Sequence, residues 1–141
     1  MTLFCKFKKE KLDDGSYTLR PKIRVRLFGE NISTQIYALL DTGCDVSVIP
    51  KSLAESIGID ISGKKGELFG FLEKTDVVES YARIKIVGRS KKESNLIKIP
   101  VLIFDNEEDE NAVIGLNGIF DNFDINFKKA SDRIVFKQAV V

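Results

Sequence analysis

The chain contains no histidine. That absence removes serine–histidine and cysteine–histidine nucleophilic systems, and most zinc sites with them, while carboxylate chemistry survives. Cysteine is scarce: Cys5 and Cys44 stand in no CxxC or other metal-ligand spacing, and a disulfide framework would use more of them. A reducing, cytoplasmic setting is the simpler expectation. Long apolar runs are missing as well, so neither a signal peptide at the N-terminus nor a membrane span is expected. There is no excess of one charge: 22 basic residues face 21 acidic ones, and a net charge of +1 exerts little general pull on nucleic acid or an anionic membrane.

What is present suits a single domain over residues 1–141, since 43% apolar content in 141 residues supplies one core and hardly two. Short apolar runs broken by turn signals dominate, which is an all-β pattern. Ile23, Val25 and Leu27 alternate with Lys22, Arg24 and Arg26. Gly29-Glu30-Asn31 then turns the chain, and Ser33 to Leu40 returns as a second strand that delivers Asp41 at its end. Val46 to Ile49 is a short third strand, and Pro50 opens a helical turn through Ile57 that Gly58 stops. Glu67 to Leu72 and Val77 to Val87 form a second hairpin, and Gly88 to Ser94 is a basic, polar turn. Leu96 to Phe104 is another strand. It ends in an acidic run, Asp105 to Asn111, which lacks the glycine and spacing of a calcium loop and is expected to be solvated. Ala112 to Gly115 re-enters the core, Leu116 to Phe123 is expected as a short helix, and Asp124 to Phe127 and Arg133 to Phe136 close the fold as strands. The polar stretch Met1 to Thr18 is expected to be a loosely held arm and a candidate for self-cleavage.

The most informative feature is Asp41-Thr42-Gly43, set directly after Tyr37-Ala38-Leu39-Leu40 and followed by Cys44-Asp45-Val46-Ser47-Val48-Ile49. An aspartate at the end of a buried strand, followed by a small hydroxyl residue and a glycine, makes a tight loop in which the carboxylate meets backbone N–H groups. One carboxylate cannot both activate a water and protonate a peptide carbonyl, so this chemistry needs two that share a single proton. The chain has one such tripeptide. Either a second copy completes the site, or Asp41 is a turn aspartate with no catalytic part.

Leu39 to Ile49 resembles the active-site loop of the retroviral-type aspartic proteases, the retropepsin family, almost position by position. Val113-Ile114-Gly115, about 70 residues later, resembles the two apolar residues and glycine that precede that family's distal helix. Glu67 to Val78 occupies the place of its flap hairpin. The resemblance covers roughly Lys22 to Phe136. Continuation through Arg133-Ile134-Val135-Phe136 is a feature of cellular members, and a prokaryotic origin is expected. It implies an all-β, retropepsin-like acid protease fold: a closed β-barrel-like half with a flap hairpin and one or two short helices. It further implies a homodimeric aspartic endopeptidase in which two Asp41 carboxylates share a water, Thr42 braces the two loops at the dimer axis and Gly43 lines the cleft. Peptide contacts are implied at Cys44, Asp45, Val48 and Val113, and at Gly70, Phe71 and Leu72 near the flap tip, with the substrate extended between apolar pocket walls. No metal or organic cofactor is required, and neither nucleic acid nor membrane is an expected partner.

Several of these residues have plainer roles open to them. Cys44 suits a small buried position, Gly70 an ordinary strand, Phe71 and Leu72 local packing, and Val113 the core. Leu116 stands where retroviral enzymes usually carry an arginine that pairs with the acidic residue corresponding to Asp45, so that ion pair is lost. Arg24, Arg26, Arg83 or Arg89 could replace the missing cation. The competing expectation is a dimeric peptide-binding or scaffold domain that keeps the fold with weak or no turnover.

Overall fold

A computed structural model describes residues 1–30, 32–69, 74–105 and 111–139. Its strands are β1 (Thr2–Cys5), β2 (Lys8–Lys11), β3 (Tyr17–Arg20), β4 (Lys22–Phe28), β5 (Ser33–Leu40), β6 (Ser47–Pro50), β7 (Lys65–Phe69), β8 (Lys74–Val87), β9 (Ile97–Phe104), β10 (Ala112–Ile114), β11 (Phe123–Lys128) and β12 (Arg133–Gln138). Helix α1 (Lys51–Ile57) follows β6 directly. Among the described residues no helix is long and apolar enough to cross a membrane.

Strict alternation on β4 turns Ile23, Val25 and Leu27 to one side, where they join Ile84 and Ile86 of β8 and Ile99, Val101 and Ile103 of β9 in one buried cluster. Each of these side chains is at most 2% exposed, and full burial of one such group contributes about 1.5–3 kcal/mol. The main sheet runs β4-β5-β10-β6-β9-β8-β7, and a further β4–β8 pairing closes all but β7 into a ring. Closure leaves β7 projecting with the first part of β8 as a hairpin, Lys65 opposite Val78 through Phe69 opposite Lys74. The tip of that hairpin, with Gly70, Phe71 and Leu72, lies outside the described residues. α1 covers the ring through Ala54 and Ile57 and stops at Gly58, whose N–H donates to the Ala54 and Glu55 carbonyls.

β10 has only three residues, yet the site depends on it. It pairs parallel with β5, Ala112 to Ile114 alongside Ala38 to Leu40, and antiparallel with β6 through Val113 and Val48. β5 and β6, joined by the loop that carries Asp41, are thus held apart by a strand from much later in the chain.

Two segments differ from the sequence expectations. The N-terminal stretch is no loose arm: β1 pairs with β12, and Leu3, Cys5 and Phe7 are 1%, 6% and 8% exposed. Alternation with Thr2, Phe4 and Lys6 gives this segment one apolar face, which packs on Ile134 and Phe136; the ring of Phe136 meets that of Phe123 edge-on at 5.8 Å. β12 is flanked on its other side by β11, so the two ends of the chain form a three-stranded sheet. The expected helix over Leu116 to Phe123 is present as a short, wide π-type helix over Leu116–Phe120 that is irregular inside: Asn117 is extended (φ −71°, ψ 125°) and Gly118 takes φ +99°. Gly118 packs against Ile99, and a Cβ there would approach the Ile99 methyl to 2.5 Å, so a regular helical path is not followed.

Leu3→Ala is expected to lower unfolding free energy by about 2–5 kcal/mol in urea titration, because it opens a hole in a closed core; a loss under about 0.5 kcal/mol would mean that β1 is not part of the cooperative fold.

Candidate active site

The Asp41 loop begins where β5 runs out of the ring. The Asp41 N–H donates to the Ile114 carbonyl at 3.0 Å, and the Cys44 N–H closes the turn onto the Asp41 carbonyl at 3.2 Å. Within that turn the Gly43 N–H donates to Asp41 Oδ1 at 2.8 Å, so one carboxylate oxygen is oriented by backbone. Asp41 is half-buried, while Thr42 and Gly43 are exposed. A Cβ on residue 43 would sit 3.1 Å from Asp41 Oδ1, so glycine here keeps the carboxylate uncrowded.

Beneath the loop, the chain leaving β10 makes the closest backbone approach in this region. A Cβ on Gly115 would lie 2.6 Å from the Cys44 carbonyl oxygen and 2.7–2.8 Å from the carbonyl of Val46, distances that only a glycine avoids. The Gly115 N–H donates to Ser47 Oγ at 3.1 Å, and Ser47 is fully buried. Leu116 and Asn117 then donate their N–H groups to the carbonyls of Cys44 and Asp45, each at 2.8 Å. The loop and the distal turn are therefore joined by backbone hydrogen bonds where an arginine ion pair was the familiar alternative. None of the four arginines considered as a replacement pairs with Asp45. Arg26 pairs with Glu93 at 2.9 Å, Arg83 reaches the Gly29 carbonyl, and Arg24 and Arg89 line a cavity away from the loop. Asp45 is exposed, with no ion pair among the described residues.

Cys44, Val48 and Val113 come together. Val48 joins Val77 and Phe104 in a small apolar cluster separate from the main core, with Cys44, Leu102 and Val113 partly buried against it. Burial first, then the charges of Asp41 and Asp45, push the Cys44 thiol up, against a hydrogen bond from its Sγ to the Val46 carbonyl at 3.0 Å. The thiol stays protonated near neutral pH, which suits a packing role and removes it as a nucleophile. Ser47 and Gly115 bear on the site as supports, and neither was singled out as such from the sequence. A serine inside an otherwise apolar strand was the available signal for Ser47, since a buried hydroxyl needs a partner. A cavity of about 720 Å³ lies under the β7–β8 hairpin, bounded by Val77, Val78, Ile103, Asp76 and Lys51; no residue of the Asp41 loop lines it.

No protein-family model matches the chain, and no curated protein matches it in sequence. Its fold is similar to that in a crystal structure of a retropepsin-like aspartic protease from Rickettsia conorii, with a TM-score of 0.59 and 14% identity, over 96% of this chain and 89% of that one. The chain has a retropepsin-like all-β fold.

Ser47→Ala is expected to cost about 1–3 kcal/mol by leaving the buried Gly115 N–H without an acceptor, and Gly115→Ala at least as much by forcing the Asp41 loop outward. Thermal melting of both variants checks this; unchanged midpoints would mean that the loop is not seated on Gly115.

Proposed function

We propose that the protein is an aspartic endopeptidase that works as a homodimer, with one Asp41 from each copy. The observation that carries this reading is the Asp41 loop: a half-buried carboxylate oriented by the Gly43 N–H, at the end of a strand in a retropepsin-like fold, beside an apolar cluster. In the proposed dimer the two carboxylates hold one proton between them, because both cannot stay ionised at close range. The ionised one takes a proton from water as its oxygen attacks the peptide carbonyl carbon, and the protonated one gives its proton to the carbonyl oxygen. Collapse of the resulting gem-diol breaks the C–N bond, with a proton passing to the leaving nitrogen. No covalent enzyme intermediate forms.

The fold supports a two-copy arrangement in a further way. β11 starts at the turn hydrogen-bonded to the Asp41 loop, and its outer edge has no neighbouring strand among the described residues. Phe127, at the far end of that edge, is 39% exposed. Pairing of two copies there would satisfy the edge, bury Phe127 and add the apolar area that a dimer without the loop-to-helix ion pair requires. Thr42 would brace the two loops, Gly43, Cys44, Val48 and Val113 would wall the cleft, Asp45 would meet substrate backbone, and Gly70, Phe71 and Leu72 would close over an extended peptide.

Asp41→Asn is expected to abolish cleavage of a diverse peptide mixture between about pH 4 and 7. At fixed total protein, replacing half of the wild type by Asp41→Asn and letting subunits exchange is expected to leave about one quarter of the dimers wild type, and about one quarter of the activity of the all-wild-type sample. Activity that instead halves would show that each chain acts alone, and the dyad would be abandoned. Lack of cleavage by a folded wild-type dimer would favour a peptide-binding domain.

A further inference from the structure

Six of the 22 basic residues, drawn from separate stretches of the chain, gather around one hollow. A cavity of about 610 Å³ opens between the N-terminal segment, β4 and the turn after β8, and it is lined by Lys6, Lys8, Lys9, Lys22, Arg24 and Arg89, with no carboxylate in its wall. Six cations around one hollow cannot reflect a generally basic protein, because the whole chain carries a net charge of only +1.

The nearest acid does not neutralise them. Glu10 bonds to Lys8 at 3.3 Å, Lys22 at 3.0 Å and Arg20 at 3.0 Å, so one carboxylate serves three cations, and the Lys22 hydrogen bond chiefly, then Lys8, hold it below the usual glutamate range. Asp132, behind the wall, accepts the Phe7 N–H. Lys9 lies over the Tyr17 ring at 4.5 Å and has no ion pair among the described residues. Lys6, Arg24 and Arg89 have no ion pair among the described residues. The Cys5 thiol beside Arg24 offers no counter-charge, since burial pushes it up to about 11 despite the guanidinium.

Two further observations concern shape. The ring of Tyr37, 48% exposed, forms part of the wall, with Lys8 Nζ 5.3 Å from its centroid. The rim at residues 88–92 is a tight turn in which Ser90 and Lys91 both take φ +59°, a left-handed conformation that non-glycine residues hold only when their surroundings enforce it. That turn brings Arg89 and Ser90 into the same wall as Lys6 and Arg24. Cations from three separate segments thus converge on a concave space instead of lining a flat stripe. Such a space suits a compact, multiply charged anion, and the planar forks of Arg24 and Arg89 match phosphate oxygens. Its size is in the range of small-molecule sites.

We propose that this cavity binds a compact polyphosphate-type anion, either inorganic or carried by a small organic molecule whose flat part lies on Tyr37. No residue of the Asp41 loop lines the cavity, so the proposal stands or falls independently of peptidase activity.

The test is calorimetric titration of the full chain with inorganic tripolyphosphate, with thermal melting alongside. Wild type is expected to bind with one-to-one stoichiometry and to melt higher in its presence, as binding to the folded state requires. Arg24→Gln/Arg89→Gln is expected to bind about tenfold more weakly or worse, while Lys98→Gln/Arg133→Gln, which removes two cations elsewhere, binds as wild type. Should the Arg24/Arg89 variant not fold, Lys6→Gln at an exposed position replaces it, with several-fold weaker binding expected. A nucleoside triphosphate binding more tightly than tripolyphosphate, with the gain lost in Tyr37→Ala, would assign the organic form. The proposal is overturned by absent binding, by equal loss in both double variants, or by a polyglutamate or single-stranded DNA chain that binds more tightly than tripolyphosphate, since a polymer surface would then be the better description.

Discussion

The threading of β10 between β5 and β6 is the constraint on which the rest of the site depends. A loop joining two adjacent antiparallel strands would be an ordinary hairpin turn, with its end residues free to spread into solvent. Here the two strands are kept one strand-width apart on each side of Val113, and the loop from Asp41 to Val46 must span the end of the inserted strand. The chain leaving β10 passes so close beneath that only Gly115 fits, and its N–H is bound by the buried Ser47 hydroxyl. The loop is then fastened from both sides by backbone hydrogen bonds, from Asp41 to Ile114 and from Leu116 and Asn117 to Cys44 and Asp45. A carboxylate on such a loop is held by main chain, which costs little reorganisation when charge moves.

This arrangement also accounts for what the chain does without. With the distal turn bonded directly to the loop, an ion pair between Asp45 and an arginine at position 116 is not needed to keep the two together. Leu116 can occupy that position, and the Asp45 carboxylate is left exposed beside Asp41. Six of the 22 basic residues gather elsewhere, around the hollow between the N-terminal segment and β4, where Glu10 bonds to Lys8 and Lys22 and no ion pair among the described residues engages Lys6, Lys9, Arg24 or Arg89. No residue of the Asp41 loop lines the basic hollow.

Local pattern carried much of the fold. The alternation Ile23, Val25, Leu27, the return strand from Ser33 to Leu40 and the proline-to-glycine bounds of α1 all match the observed elements, because period-two burial and cap chemistry depend on neighbours in sequence. Where the outcome rested on distant partners, local pattern failed. Met1 to Thr18 reads as polar, yet its first strand pairs with the last strand of the chain, and Leu3, Cys5 and Phe7 become core. Leu116 to Phe123 has helical spacing, yet Gly118 is drawn against Ile99 and the turn widens.

By itself, then, the sequence determined the all-β class, the position of Asp41 at a strand end, and the glycine and hydroxyl residues that make a tight carboxylate loop, since each follows from residue type and short-range spacing. Only the tertiary structure decided that Ser47 and Gly115 support that loop, that Cys44, Val48 and Val113 share one apolar cluster, that both chain ends build one sheet, and that cations from three segments surround one hollow. Those relations join residues tens of positions apart, and strand order, which sets them, is a property of the closed ring and not of any segment within it.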